Sequence, residues 1–298
     1  MQRRAFLQNS LLTFGAISIG KQKILNAMQV DPWKISMLTK DIGIFTEKGG
    51  TIAFHFSKDG ITVIDAQFPD TAPHLIAELR KRKDQPFGLL INTHHHVDHT
   101  SGNIAFKGVT DRVLAHENSL TNQKKVAKAK NNEDQQYYPS QTFGKEWNED
   151  IGNEKIGLYY YGAGHTNGDA IVHLKHANIV HVGDLVFNRR HPYVDRSAGA
   201  NMQSWIYVLD AAMKKFDTKT IFICGHSGDN YDVKGSKEML VAFQQYLANV
   251  LKFVGDEIKA GKSKEEILKA TEIPGSSDWK GEGIERPLTA AYEELTNT

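Results

Sequence analysis

Cysteine is nearly absent. Cys224 is the single one in 298 residues, which excludes an internal disulfide whatever the compartment. An excess of either charge is missing too. The 36 Lys and Arg against 35 Asp and Glu leave a formal net charge of +1, with no basic footprint for nucleic acid. No apolar run approaches the roughly 20 residues needed to span a bilayer. A composition of 40% hydrophobic and 24% charged residues excludes a disordered chain, a coiled coil and a multi-span membrane protein. Close internal repeats and convincing linkers are lacking as well. What remains is an ordinary globular chain, long enough to bury a sizeable core.

Met1 to Ala27 reads as an address label. Arg3 and Arg4 precede the short apolar run Leu11 to Gly20, the pattern of a secretory signal. The piece Arg3-Arg4-Ala5-Phe6-Leu7 resembles the twin-arginine export signal, and Lys21 and Lys23 after the run fit that route. That route carries folded, cofactor-loaded proteins. The resemblance therefore implies metal loading before export and a periplasmic or otherwise exported protein. With no cysteine here for a lipid anchor, stable membrane insertion after export is not expected. The alternative is an amphipathic first helix of a cytoplasmic protein. Without this segment, which holds four cations and no acid, the net charge turns negative, which argues further against a nucleic-acid partner. The expected organisation is a leader over 1–27 and one domain over 28–298.

Residues 42–67 alternate apolar and polar residues in three bursts, broken at Lys48-Gly49-Gly50 and Ser57-Lys58-Asp59-Gly60, which predicts an antiparallel meander. Leu75, Ile76 and Leu79 predict a helix over 73–83. Strands are predicted at 87–91 and 112–115, a short helix at 100–106 and a polar, basic helix at 118–130. The Asn-, Gln- and acid-rich stretch 131–150 reads as a loop or surface insertion. Beyond it come strands at 155–161, 170–174, 179–182 and 220–224, and helices at 203–216, 237–260, 264–270 and 286–295. Strands with interspersed helices in two similar halves predict an α/β (α+β) fold, two packed sheets with helices outside.

The chemistry is concentrated after the strand 87–91. Residues 93–100 read Thr-His-His-His-Val-Asp-His-Thr. Neutral imidazole and carboxylate are both zinc ligands. On an extended strand end, side chains alternate with period two, so His94 and His96 can share one metal while His95 points away. If a helix begins next, Asp98 and His99 lie at its start and reach a neighbouring position. The spacing supplies half of two adjacent metal sites. A solvated loop or an adventitious metal binder is the plainer reading of a polar histidine run, but the rigid strand just before it favours function.

The motif His94-x-His96-x-Asp98-His99 resembles the signature of the metallo-β-lactamase superfamily of hydrolases. Gly164-His165-Thr166, Gly183-Asp184 and Gly225-His226 are similar to that family's later metal-binding segments, in the expected order, and Asp65 to its early supporting aspartate. The resemblance covers roughly residues 40–228. It implies an αββα four-layer sandwich and two Zn2+ per chain. His94, His96 and His165 would hold the first, Asp98, His99 and His226 the second, and Asp184 would bridge them. It also implies that Asp98 steers the attacking hydroxide and passes a proton to the leaving group. A hydroxide shared between two metals can cleave a carbonyl C–N, C–O or C–S bond of a small molecule. β-Lactam hydrolysis is the leading expectation. One group of true β-lactamases carries a cysteine where this chain has Asp184. The Asp184 pattern resembles lactonases, thioesterases of the glyoxalase II kind and broad hydrolases. Outside hydrolysis, a mononuclear iron persulfide dioxygenase and a non-catalytic metal-binding module stay open. No oligomeric state is assigned.

Other features take plainer readings. Thr166 and Asp169 are suited to holding their loop by local hydrogen bonds. His173 and His181 are expected to be half-buried strand residues, and His55, His74, His116, His176 and His191 lack a partner motif. Tyr159-Tyr160-Tyr161 reads as strand packing, and Cys224 as a buried small hydrophobe. The stretch 188–196, with Arg189, Arg190, Tyr193, Asp195 and Arg196, reads as a solvated loop, although an arginine there could hold a substrate carboxylate.

Overall fold

Tight turns set the first sheet. Ser57 and Gly60 face each other across Lys58-Asp59. Ser57 Oγ accepts from Asp59 N and donates to Gly60 O. Gly60 sits at φ +123°, where a side chain would be strained. The structure, a computed structural model, describes residues 32–297; the expected leader, 1–27, lies outside the described residues. The chain divides into residues 1–34 and the unit Ile35–Thr298, and the architecture concerns the second.

Seven strands form the first sheet in chain order: β1 (Lys34–Met37), β2 (Ile42–Thr46), β3 (Ile52–Ser57), β4 (Gly60–Ile64), β5 (Phe87–Ile91), β6 (Val113–His116) and β7 (Gln141–Phe143). β2 to β4 are an antiparallel meander, and β4 to β7 are parallel. The second sheet holds β8 (Glu146–Ile151), β9 (Glu154–Tyr159), β10 (Ile171–Leu174), β11 (Ile179–Asn188), β12 (Ile221–Ser227) and β13 (Lys234–Gly235). Its one parallel pair is β11 with β12.

Period-two alternation sends side chains to both faces of each sheet. Ile64, Leu89, Ile91 and Leu114 of the first sheet meet Ile156, Leu158, Val172, Ile179 and Ile223 of the second. Their neighbours Val180, Val182, Phe222 and Cys224 turn the other way. They pack on the helices Met202–Lys215, Lys237–Lys259 and Glu285–Thr296 through Trp205, Leu209, Phe243, Leu247 and Leu288. The helix Ala72–Arg82 buries Leu75, Ile76 and Leu79, and Glu117–Lys130 packs beside β6 and β7. The layers run helix, sheet, sheet, helix, as expected. Among the described residues no helix is long and apolar enough to cross a membrane.

Three expectations are corrected. The stretch 131–150 is not a plain loop: it supplies β7 and β8. β8 alternates exposed and half-buried residues, with only Ile151 fully buried; an edge strand that keeps polar groups toward water gives little apolar signal. The strands expected to stop at Val182 and Cys224 continue to Asn188 and Ser227, so Asp184 and His226 lie within strands. The helix expected over 264–270 is a single turn, Lys264–Ile267, closed by a Ser263/Glu266 capping box.

Candidate metal centre

β5 ends at Ile91, and the chain runs extended to His96, which precedes the short helix Val97–Thr100. His94 Nε2 and His96 Nδ1 come within 3.1 Å, and His165 Nε2 lies 2.8 Å from His96 Nδ1. Asp184 Oδ2 is 3.9 Å from His94 Nε2 and 3.5 Å from His165 Nε2. Beside them, Asp98 Oδ2 is 3.1 Å from His226 Nε2, which is 3.4 Å from His99 Nε2. Asp184 belongs to this second group too, with Oδ1 3.1 Å from His99 Nε2 and Oδ2 3.4 Å from His226 Nε2. All seven expected donors therefore converge, and His95 joins neither set.

The outer nitrogen of four imidazoles is engaged, which turns the inner lone pair toward the centre. His94 Nδ1 is 3.1 Å from Thr93 Oγ1, whose hydroxyl donates to Asp65 Oδ2 at 2.7 Å. His99 Nδ1 donates to the same Asp65 oxygen at 2.8 Å. His165 Nδ1 donates to the Tyr193 carbonyl at 2.8 Å, and His96 Nε2 to Asp195 Oδ2 at 2.9 Å. With the outer nitrogens protonated, His94, His96 and His165 aim lone pairs at one another, an arrangement suited to a cation between them. Tetrahedral zinc with bonds of about 2.0–2.1 Å sets its donors roughly 3.3 Å apart, and the observed spacings scatter around that. Asp184 Oδ1 is buried and is met by His99 Nε2 at 3.1 Å without a well-aligned hydrogen bond, as suits an oxygen that would face a metal. The residues fit a metal.

Glycine explains how the strands approach so closely. Gly183 takes φ +52° at a register shift in β11, and a Cβ there would come within 2.7 Å of Thr93 Oγ1. A Cβ on Gly225 would fall 1.9 Å from Asp184 Oδ1. The Gly-Asp and Gly-His pairs are thus steric conditions for bringing β11 and β12 under the donors.

Charge divides across the two sets. Burial, with the neighbouring imidazoles, holds His94 well below the usual imidazole value and His165 down at about 3. Burial opposes charge at His99 and His226 as well. There the carboxylates win: Asp184 and Asp65 lift His99 well up, and Asp184 and Asp98 lift His226 to about 9. Asp98 is held at about 2, since His99 and His226 outweigh the burial that would raise it. The charged forms of His99 and His226 are thus favoured by the carboxylates they face.

Two supporting carboxylates differ in legibility. Asp65 stands where expected. It is fully buried, and it also accepts from Thr93 N at 2.8 Å. Asp195, expected in a solvated loop, is instead buried, accepts from His96, and lies 3.5 Å from His95 Nε2. Its histidine partners lie about a hundred residues away in sequence, so no local pattern pointed to them. Asp169 accepts from Thr166 N and Oγ1, as expected, and burial raises it to about 7. His181 is fully buried rather than half-buried: Nε2 donates to Thr51 O, and Nδ1 accepts from Gly183 N. His116 also has a local role, accepting from Asn118 N at the start of its helix. A cleft of about 450 Å³ opens over the donors, lined among others by Val97, Phe187, Tyr193, Arg190 and Arg286.

The family described as the Metallo-beta-lactamase superfamily matches residues 52–242, a span that holds all seven donors. The chain belongs to this superfamily. Within the metallo-beta-lactamase superfamily it is 26% identical over 203 residues to the metallo-beta-lactamase type 2 of Bacillus cereus, covering 64% of this chain and 75% of that one. It is 25% identical over 193 residues to metallo-beta-lactamase IND-1 of Chryseobacterium indologenes, covering 63% and 76%. Among solved structures, a metallo-beta-lactamase from Pontibacter korlensis aligns with a TM-score of 0.62 at 20% identity, over 73% of this chain and all but 1% of that one (99% covered). A doubly substituted sec-alkyl sulfatase PisA1 aligns at 0.70 with 13% identity, over 88% and 50%. These structural likenesses carry the fold alone. The chain is thus a hydrolase-family protein of the metallo-beta-lactamase superfamily, with a site suited to metal.

Proposed function

We propose that this protein is a dinuclear zinc hydrolase that opens a carbonyl C–N, C–O or C–S bond of a small molecule, with a β-lactam as the first substrate to try and lactones and thioesters next. Asp184 carries the reading: one carboxylate faces both donor sets, with Oδ1 toward His99 and Oδ2 toward His94, His165 and His226. His94, His96 and His165 would hold one zinc, and Asp98, His99 and His226 the other. Bound zinc supplies Lewis acidity toward the carbonyl and a nucleophile from water at neutral pH.

The chain's own groups do the rest. Asp98 has the most exposed carboxylate among the donors, with its side chain 27% accessible at the cleft. Held ionised by His99 and His226, it can accept a proton at Oδ2 and hand it to the leaving nitrogen. Phe187 stacks on His226 with ring centroids 5.5 Å apart, and Tyr193 lies 5.4 Å from His96; both put aromatic surface beside the donors. Similarity to the curated metallo-beta-lactamases supports a lactam. The second complete donor set supports two metals over a single iron. We further propose that the chain is exported through its first 27 residues. Cell fractionation tests this, and full-length protein retained in the cytoplasm would refute it.

Metal analysis with a panel of β-lactams, lactones and thioesters tests the enzyme. About two zincs per chain and zinc-dependent turnover are expected, with kcat reduced by at least about a hundredfold in Asp98→Ala. One iron with oxygen uptake would overturn the reading, and turnover unchanged in Asp98→Ala would remove the proton-transfer role.

A further inference from the structure

Four of the five donor imidazoles are oriented by a hydrogen bond at the outer nitrogen. His226 is the exception. Its contacts with the other donors all run through Nε2, and among the described residues no hydrogen bond engages its Nδ1. Packing holds the ring instead. Phe187 stacks on it with the planes 16° apart. Phe187 also touches His165, at 5.6 Å, but that ring is already pinned to the Tyr193 carbonyl.

Behind Phe187 stands a column of rings. Phe243 meets it at 6.1 Å between centroids, Tyr246 stacks on Phe243 at 6.0 Å, and Trp279 stacks on Tyr246 at 4.7 Å. All four are buried. Phe243 and Tyr246 share one face of the helix Lys237–Lys259. Trp279 comes from the loop before the helix Glu285–Thr296. The outer end is closed by Arg189, whose guanidinium lies 4.6 Å from the Trp279 ring centroid. Three details show how the column is fixed. The Tyr246 hydroxyl is 2.8 Å from His191 Nδ1, which sets the rotation of that ring. Trp279 Nε1 is buried and, among the described residues, has no hydrogen-bond partner, so the indole is held by its faces. Arg189 takes φ +59°, a left-handed backbone that disfavours any residue but glycine, and from there its side chain reaches Trp279.

We infer that Trp279 is a positioning residue for the second metal: through Tyr246, Phe243 and Phe187 it sets the ring plane of His226, and so the affinity of the set Asp98, His99 and His226. The first set stands on its own hydrogen bonds and does not depend on the column. Phe243, Tyr246 and Trp279 all lie beyond the segment 52–242 that matches the family, so the device belongs to the C-terminal part of this chain. The inference rests on the proposed dinuclear reading for the second metal; the orientation of His226 does not.

Histidine ring signals in the NMR spectrum of the metal-free protein test the orientation. In Trp279→Leu the His226 signals should shift and broaden while those of His94 stay in place. Trp279→Phe, which restores a ring to stack, should return them toward wild type. Phe243→Leu interrupts the column at its middle and should reproduce the effect, so the inference stays testable if Trp279→Leu fails to fold. Stepwise zinc titration against a competing chelator supplies the second readout. The second zinc should weaken about three- to thirtyfold, the range for coupling through packed side chains, with the first within about twofold. Leu288→Ala, a buried residue outside the column, controls for general loosening and should weaken neither zinc selectively. Parallel loss of both zincs in Trp279→Leu, or His226 signals unmoved in both column variants, overturns the inference. Moved signals in a protein whose wild type binds a single zinc uphold the column and remove the dinuclear reading. Two zincs with unmoved signals remove the column and leave that reading.

Discussion

At the scale of single residues, the centre depends on carboxylates that orient imidazoles. Asp195 holds His96 through Nε2, at 2.9 Å. Asp195→Asn removes the charge and is expected to weaken metal binding about 10–100-fold, the usual cost of losing such a partner; chelator competition measures it, and an unchanged affinity would show that His96 is oriented otherwise. The paired protons make a second prediction. His226 rises from 6.5 to about 9 without metal. A raised imidazole contributes stability that is fully present below its unfolded value and lost as pH climbs through its folded one. The Tm of chelator-treated protein should therefore fall between about pH 6.5 and 9. Zinc-loaded protein, with those protons displaced, should not show that fall. The donors were legible because His94-x-His96-x-Asp98-His99 is local and because glycine precedes His165, Asp184 and His226. Asp195 was not, since its role arises only when the loop after β11 folds back over the histidines.

Among elements, β11 carries the heaviest demand. It pairs with β10 and β12, breaks register around Gly183, and continues far enough to present Asp184. The helix Met202–Lys215 anchors it there. Trp205 is fully buried, and its Nε1 donates to Leu185 O, one residue past Asp184, at 3.0 Å. Trp205→Ala should destabilise by about 3–5 kcal/mol, read by denaturant unfolding, and should also weaken metal binding; full stability would mean that the helix does not support the strand. Helices with one apolar face and fully apolar strands were readable from spacing alone. β7 and β8 were not, because an edge strand needs no apolar alternation to be held by its neighbour. The strands run past Val182 and Cys224 because Asp184 and His226 put polar residues inside them, where apolar spacing gives no signal.

For the whole molecule, the αββα layering has a chemical consequence. Asp65 and the histidine run leave the parallel strands β4 and β5 of one sheet. Asp184 and His226 lie on the parallel pair β11 and β12 of the other. The two rigid sheets, packed through Ile64, Ile91 and Ile223, hold the donor sets together, so neither half of the chain builds the centre alone. The family pattern made this layering legible, while the contribution of the last helix to the cleft had no signal in sequence. Anomalous scattering at the zinc edge from crystals of the zinc-loaded protein tests the dinuclear centre most directly. Two peaks are expected, about 3.5–4 Å apart, one among His94, His96 and His165 and one among Asp98, His99 and His226, with Asp184 between them. A single peak, or metal held by His95 and Asp195 instead, would contradict it.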